Sequence, residues 1–140
     1  MKSSPFLNLP FFKEPLTVLR IWLGIAFIIH GLPGIFDSDY MAGHTGMMEL
    51  YDIPLPELTA YLSKGGELLG GILLLLGLFT RLGTIIIIVN MLVATFIALR
   101  GDIFGDFQAE ISFTYLLIAI VLLLSGPTAY SLDQRRLMIE

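Results

Sequence analysis

The chain has 140 residues, 56% of them hydrophobic and only 14% charged, with a formal net charge of −4 and no cysteine. A soluble domain carries about a quarter charged residues, so a disordered chain and a solvated α/β enzyme are excluded and an integral membrane protein remains. Without cysteine there is no disulfide, thiolate nucleophile or CxxC redox pair, and without a basic run nucleic acid is not an expected partner.

The pattern predicts an all-α protein, an integral membrane four-helix transmembrane bundle spanning residues 16–126 as one domain. A hydrocarbon core of about 30 Å takes roughly 20 mainly apolar residues as a helix. Residues 1–15, MKSSPFLNLPFFKEP, mix phenylalanine with proline and read as an N-terminal tail along the membrane interface. Three prolines there, and no convincing small-residue cleavage site after the first span, argue against a signal peptide. Span one covers 16–36, with Trp22 as an inner interface anchor and Pro33 expected to kink or unwind its outer end. The connection from Asp37 to Leu55 is the longest; within it TGMMELYD, residues 45–52, is expected to form a short interfacial helix presenting Met47, Met48 and Tyr51, with His44 in a flexible stretch. Span two covers 57–79 and opens with Pro56 and Glu57, both suited to a helix N-terminus. Thr80-Arg81 reads as a tight connection to span three, 82–100. Span four covers 110–126 and stops at Gly126-Pro127, leaving 127–140 as a cytoplasmic C-terminal tail. None of these segments alternates as barrel strands do, and helices satisfy their own backbone in lipid.

Lysine and arginine set the direction. Lys2, Lys13, Arg20, Arg81, Arg135 and Arg136 fall on one side, and Arg100 and the in-span Lys64 on the other. Both termini are therefore expected in the cytoplasm of a bacterial-type inner membrane. The opposite side collects Asp37, Asp39, Glu49, Asp52, Glu57, Asp102, Asp106 and Glu110.

An ionisable side chain inside a span costs about 2.5–3.5 kcal/mol on insertion scales and needs a reason. Five polar residues are the ligand-binding or proton-relay candidates: His30, Lys64, Glu67, Asn90 and Glu110. At 1.5 Å per residue, His30 and Lys64 lie about 10 Å deep and Glu67 and Asn90 about 15 Å, all from the same side. A bundle can gather them into one pocket able to bind and protonate a quinone-like carbonyl or to relay protons. Each also has a plain structural role. Lys64 and Glu67, at i and i+3, can neutralise each other; His30 can bond a carbonyl; Asn90 can hold two helices together; Glu110 can complement a helix N-terminus. A metal site is not expected, because only one in-span histidine exists and no ligand spacing is diagnostic. Gly24, Gly31, Gly66, Gly70 and Gly77 form smooth helix-packing faces, for contact within the chain or between copies in a homo-oligomer.

The run LRIWLGIAFIIHGLPGIF, then LPELTAYLSKGGELLGGILLLLGLFTRLG, then the acidic start and apolar body of span four followed by GPTAYSLD, together resemble the DoxX family of membrane proteins over about Leu19 to Asp133. The resemblance implies a four-helix membrane protein associated with redox chemistry. Some relatives are membrane subunits of thiosulfate:quinone oxidoreductase, and others resemble partners of soluble redox or sulfur-handling enzymes. His30, Gly31, Glu67, Gly70, Gly71, Arg81 and Glu110 match the family's motif positions. Pro33 and Gly34 stand where many relatives have a basic residue after the histidine-glycine pair. The expected function is thus a redox-associated subunit with an intramembrane pocket for a quinone or other small molecule, with redox or sulfur-metabolism proteins as partners and no metal or flavin motif of its own. The alternatives are a non-catalytic scaffold and a small proton-coupled transporter.

Overall fold

The computed structural model describes residues 15–137, with side chains through Arg135, so the expected N-terminal tail lies almost wholly outside the described residues. The described chain is all-helical. Its elements are α1 (Pro15–Phe36), α2 (Ser38–Leu50), α3 (Pro56–Leu76), α4 (Thr80–Leu92) continued by a π-helical segment (Val93–Ala98), α5 (Phe107–Ser125) and α6 (Leu132–Leu137).

Three helices are long and apolar enough to cross a membrane: α1, α4 with its π continuation, and α5. The 21-residue α3 is of similar length but carries Glu57, Lys64 and Glu67. It is the central element, packed between α1 and α4, and α5 closes the group by touching both α4 and α1. Leu23, Phe27, Leu74, Ile87, Met91, Leu116, Ala119 and Leu122 fill the space between them. Outward, α1 presents Val18, Trp22, Ile25 and Ile29, α4 presents Ile85 and Val89, and α5 presents Leu117, Val121 and Leu124. Such exposed apolar flanks suit hydrocarbon rather than water.

Close crossings depend on glycine. A Cβ on Gly24 would stand 2.6 Å from the Leu75 backbone nitrogen, one on Gly31 2.5 Å from that of Leu68, and one on Gly71 2.7 Å from that of Ile28. These three fix α1 against α3. Gly70 lets Ile87 and the Gly83 carbonyl of α4 approach the neighbouring face of α3, and Gly66 faces Asn90 and Ile86. These contacts lie within one chain. Gly77 packs closely too, since a Cβ there would meet Ser131 and the Arg20 guanidinium, and at φ +63 it is also the left-handed cap that ends α3 at Leu76, so the helix does not run to Phe79. Thr80 and Arg81, expected as the connection, instead form the first turn of α4.

Other departures have similarly local causes. Pro33 does not unwind α1, which continues to Phe36. α5 starts at Phe107 because the Asp106 carboxylate accepts from the Gln108 and Ala109 amides. The first loop is not a short helix over 45–52. The Asp37 carboxylate accepts from the Asp39 and Tyr40 amides and starts α2 at Ser38. α2 packs on α3 and α1, burying Met41 and Met48 over Ile53 and Ala60, while Met47 stays exposed.

The C-terminal segment is docked against the end of the bundle opposite α2. Arg20, which the basic-residue tally treats as a flanking charge, is 1% exposed. Its guanidinium donates to the Leu74 and Leu75 carbonyls at the end of α3, to Thr128 Oγ1 at 2.8 Å, and to the Tyr130 carbonyl. The last carbonyls of a helix lack intrahelical partners, and Arg20 supplies them. At the start of α4 the Asp133 carboxylate accepts from the Phe79 and Thr80 amides and from the Thr80 hydroxyl, at 2.7–2.8 Å. Asp133→Ala should lower stability in detergent by about 0.5–2 kcal/mol, the usual worth of a helix cap, and Asp133→Asn by less. Urea titration followed by circular dichroism measures both.

Candidate functional site

Lys64 and Glu67 face inward one turn apart on α3, because the outer face of that helix is taken by Leu58, Leu62, Leu69 and Ile72. Lys64 Nζ donates to Glu67 Oε2 at 2.9 Å, and both side chains are under 10% exposed. The Lys64 stem runs along Gly34 of α1, where any Cβ would collide with it. Its ammonium lies 5.7 Å from the centre of the Tyr40 ring on α2, a cation–π contact that ties α2 to the ion pair.

Beside this pair is a cavity of about 750 Å³, within the range of roughly 300–1,000 Å³ typical of small-molecule sites. α2 roofs it with Tyr40, His44, Met47 and Met48. α3 contributes Ser63, Lys64 and Glu67, α4 contributes Asn90 and Met91, and α5 contributes Gln108, Ser112 and Tyr115. Leu62, Ile85 and Val89 also line it, and each is more than 40% exposed, so one edge of the cavity reaches the flank between α3 and α4.

Four of the five expected residues border this cavity. Lys64 and Glu67 form its charged wall. Asn90 Nδ2 donates to the Ser63 carbonyl at 2.8 Å, so it joins α4 to α3. His30 is exposed rather than enclosed, with its ring 6.5 Å from that of Phe27 and 6.4 Å from that of Tyr115 at the α1–α5 seam. Glu110 does not join the group: it is exposed in the first turn of α5 and outside the cavity lining. Asp106, four residues earlier, reaches the cavity instead.

His44 is the residue that sequence reasoning missed. It is not in a flexible stretch but on α2, stacked on Tyr40 with ring centroids 6.5 Å apart and planes 19° apart. Its Nε2 is buried and has no hydrogen-bond partner. Burial first, and the nearby Lys64 ammonium second, push its pKa down to about 4. The imidazole is therefore neutral at pH 7. Between pH 6.5 and about 4 the unfolded chain takes up a proton that the folded chain refuses. Stability should be full above pH 6.5 and fall as the pH drops toward 4. His44→Gln should flatten that part of the curve, read as melting temperature against pH in detergent.

Among the described residues no group of three histidine, cysteine or acidic side chains could hold a metal ion.

The family model for DoxX matches residues 16–100, which contain α1 to α4 and the cavity's charged wall. The chain belongs to the DoxX family. It is 31% identical over 124 residues to the Bacillus subtilis (strain 168) protein named "Putative oxidoreductase CatD", covering 87% of each chain. It is 32% identical over 131 residues to the inner membrane protein YphA of Escherichia coli (strain K12), covering 86% of this chain and 89% of that one. An uncharacterised membrane protein of Mycobacterium tuberculosis (strain ATCC 25618 / H37Rv) is 29% identical over 129 residues, covering 84% and 78%. No solved structure matches the chain. This DoxX protein is thus a membrane protein whose relatives align over most of their length.

Proposed function

We propose that this DoxX protein is the quinone-binding membrane subunit of a redox system, with α3 as its fourth spanning helix and both termini in the cytoplasm of the inner membrane. The observation that carries the reading is a largely apolar cavity with a buried Lys64–Glu67 pair on its wall and an edge on the bundle's flank. A quinone needs this combination: a dry slot for the ring, polar groups at its oxygens, and a side exit for its isoprenoid tail. The apolar outer face of α3, with Leu62, Leu69, Ile72 and Leu76, supports its placement across the bilayer. The oxidoreductase name of the Bacillus relative fits the same chemistry.

Reduction of a bound quinone to quinol takes two electrons and two protons. A partner redox protein supplies the electrons, and the Lys64–Glu67 pair, with His30 at the seam, passes the protons to the ring oxygens. The closed ion pair also favours a second reading, a scaffold in which Lys64 and Glu67 only hold the helices. Purification in mild detergent separates the two. Quinone extracted with the wild-type protein, and depleted at least tenfold in a folded Glu67→Gln variant, supports the quinone subunit. A protein that carries no quinone and binds none added supports the scaffold.

A further inference from the structure

The quinone reading uses the wall of the cavity and leaves its roof unexplained. A buried polar atom without a partner is uncommon in a folded protein. Among the described residues only two side-chain atoms qualify: Thr95 Oγ1 and His44 Nε2. Thr95 is not part of the cavity lining, whereas His44 is. The imidazole stacks on Tyr40, whose ring the Lys64 ammonium contacts in turn. The unsatisfied nitrogen therefore belongs to the roof of a space of ligand size, packed among side chains there, and meets a ligand oxygen when those side chains give way to the bound ring.

We propose that His44 is a ligand-binding residue, its Nε2 hydrogen-bonding one ring oxygen of the bound molecule in both oxidation states. This rests on the quinone reading of the cavity. A quinone carbonyl only accepts hydrogen bonds, whereas a quinol hydroxyl can donate one. The Glu67 carboxylate only accepts and so suits the quinol alone, while the Lys64 ammonium only donates and so leaves the quinol's own O–H without an acceptor. A neutral imidazole donates from one ring nitrogen and accepts at the other, and its tautomers exchange these roles. Nε2–H can donate to the quinone, and Nε2 without its proton can accept from the quinol. Keeping the ring uncharged at neutral pH, as its burial and Lys64 do, preserves both options. α2 thus becomes part of the binding site rather than a connection between two spans.

The test measures binding of decylubiquinone, and of its dithionite-reduced quinol under anaerobic conditions, to the full chain in nanodiscs. His44→Phe keeps a ring to stack on Tyr40 and removes both nitrogens. It should weaken both forms about tenfold, the scale of one buried ligand oxygen left unpaired. His44→Gln, whose amide offers a donor and an acceptor, should stay within about threefold of wild type for both. Melting temperature checks that each variant folds, and His44→Leu takes the place of His44→Phe if that variant does not. Unchanged binding in a folded variant lacking the imidazole, or loss of only one oxidation state, overturns the proposal while leaving the quinone reading intact. Wild-type protein that binds neither form overturns both.

Discussion

Lys64→Met should destabilise the protein by about 3–5 kcal/mol, the cost of leaving a buried carboxylate without its partner. The pair is enclosed on several sides: Gly34 of α1 lies against the lysine stem, the Tyr40 ring lies under the ammonium, and both charged side chains are under 10% exposed. Removing the ammonium takes away the hydrogen bond that Glu67 accepts from Lys64 and leaves a largely desolvated carboxylate. Lys64→Met combined with Glu67→Leu should recover most of the loss, because an apolar pair of similar volume avoids desolvating any charge. A double-mutant cycle in urea then gives a large coupling energy between the two sites. Single and double variants of equal stability would mean that water reaches the pair.

The second large effect lies at the α1–α3 crossing. Gly31→Ala should cost at least about 1–3 kcal/mol, the usual range for overpacking, because its methyl group meets backbone that cannot rotate away. The new Cβ would lie 2.5 Å from the Leu68 nitrogen and 2.9 Å from the Lys64 carbonyl oxygen. Gly70→Ala should cost less, since its nearest neighbour is the terminal methyl of Ile87 at 2.8 Å, and that side chain can turn. Gly65→Ala has nothing within 4 Å and should gain about 0.5–1 kcal/mol from the better helix propensity of alanine. The order Gly31, Gly70, Gly65 in thermal stability tests the packing directly. Equal values at the three positions would contradict it.

These two regions also mark how far the sequence is readable. Long apolar runs reveal α1, α4 and α5 because only a helix satisfies its backbone in lipid. The convergence of Lys64, Glu67 and Asn90 follows from depth along straight helices. α2 is harder to see. It is a 13-residue helix with two internal glycines and a mixed apolar pattern, and its apolar anchors, Met41 and Met48, are seven residues apart in a segment that otherwise reads as a loop. The Asp37 cap and that spacing were the available signals. A short helix expected over 45–52 stops short of His44, so the place of His44 on the roof is not legible from the pattern. Arg20 and Asp133 expose a different limit. Their roles are to complete the ends of helices distant in the chain, and charge counting cannot distinguish a buried cap from a flanking cation. The π-helical segment after Leu92 has no sequence signature that separates it from a regular helical turn.

Photolabelling with an azido-quinone, followed by peptide mapping, tests most directly whether the cavity beside the Lys64–Glu67 pair is the binding site. The account predicts labels on the roof between Tyr40 and Tyr51 and on the wall between Leu62 and Glu67, suppressed by excess unlabelled decylubiquinone. Labels confined to the lipid-facing flank at Trp22 and Ile25, and unaffected by the competitor, would contradict it.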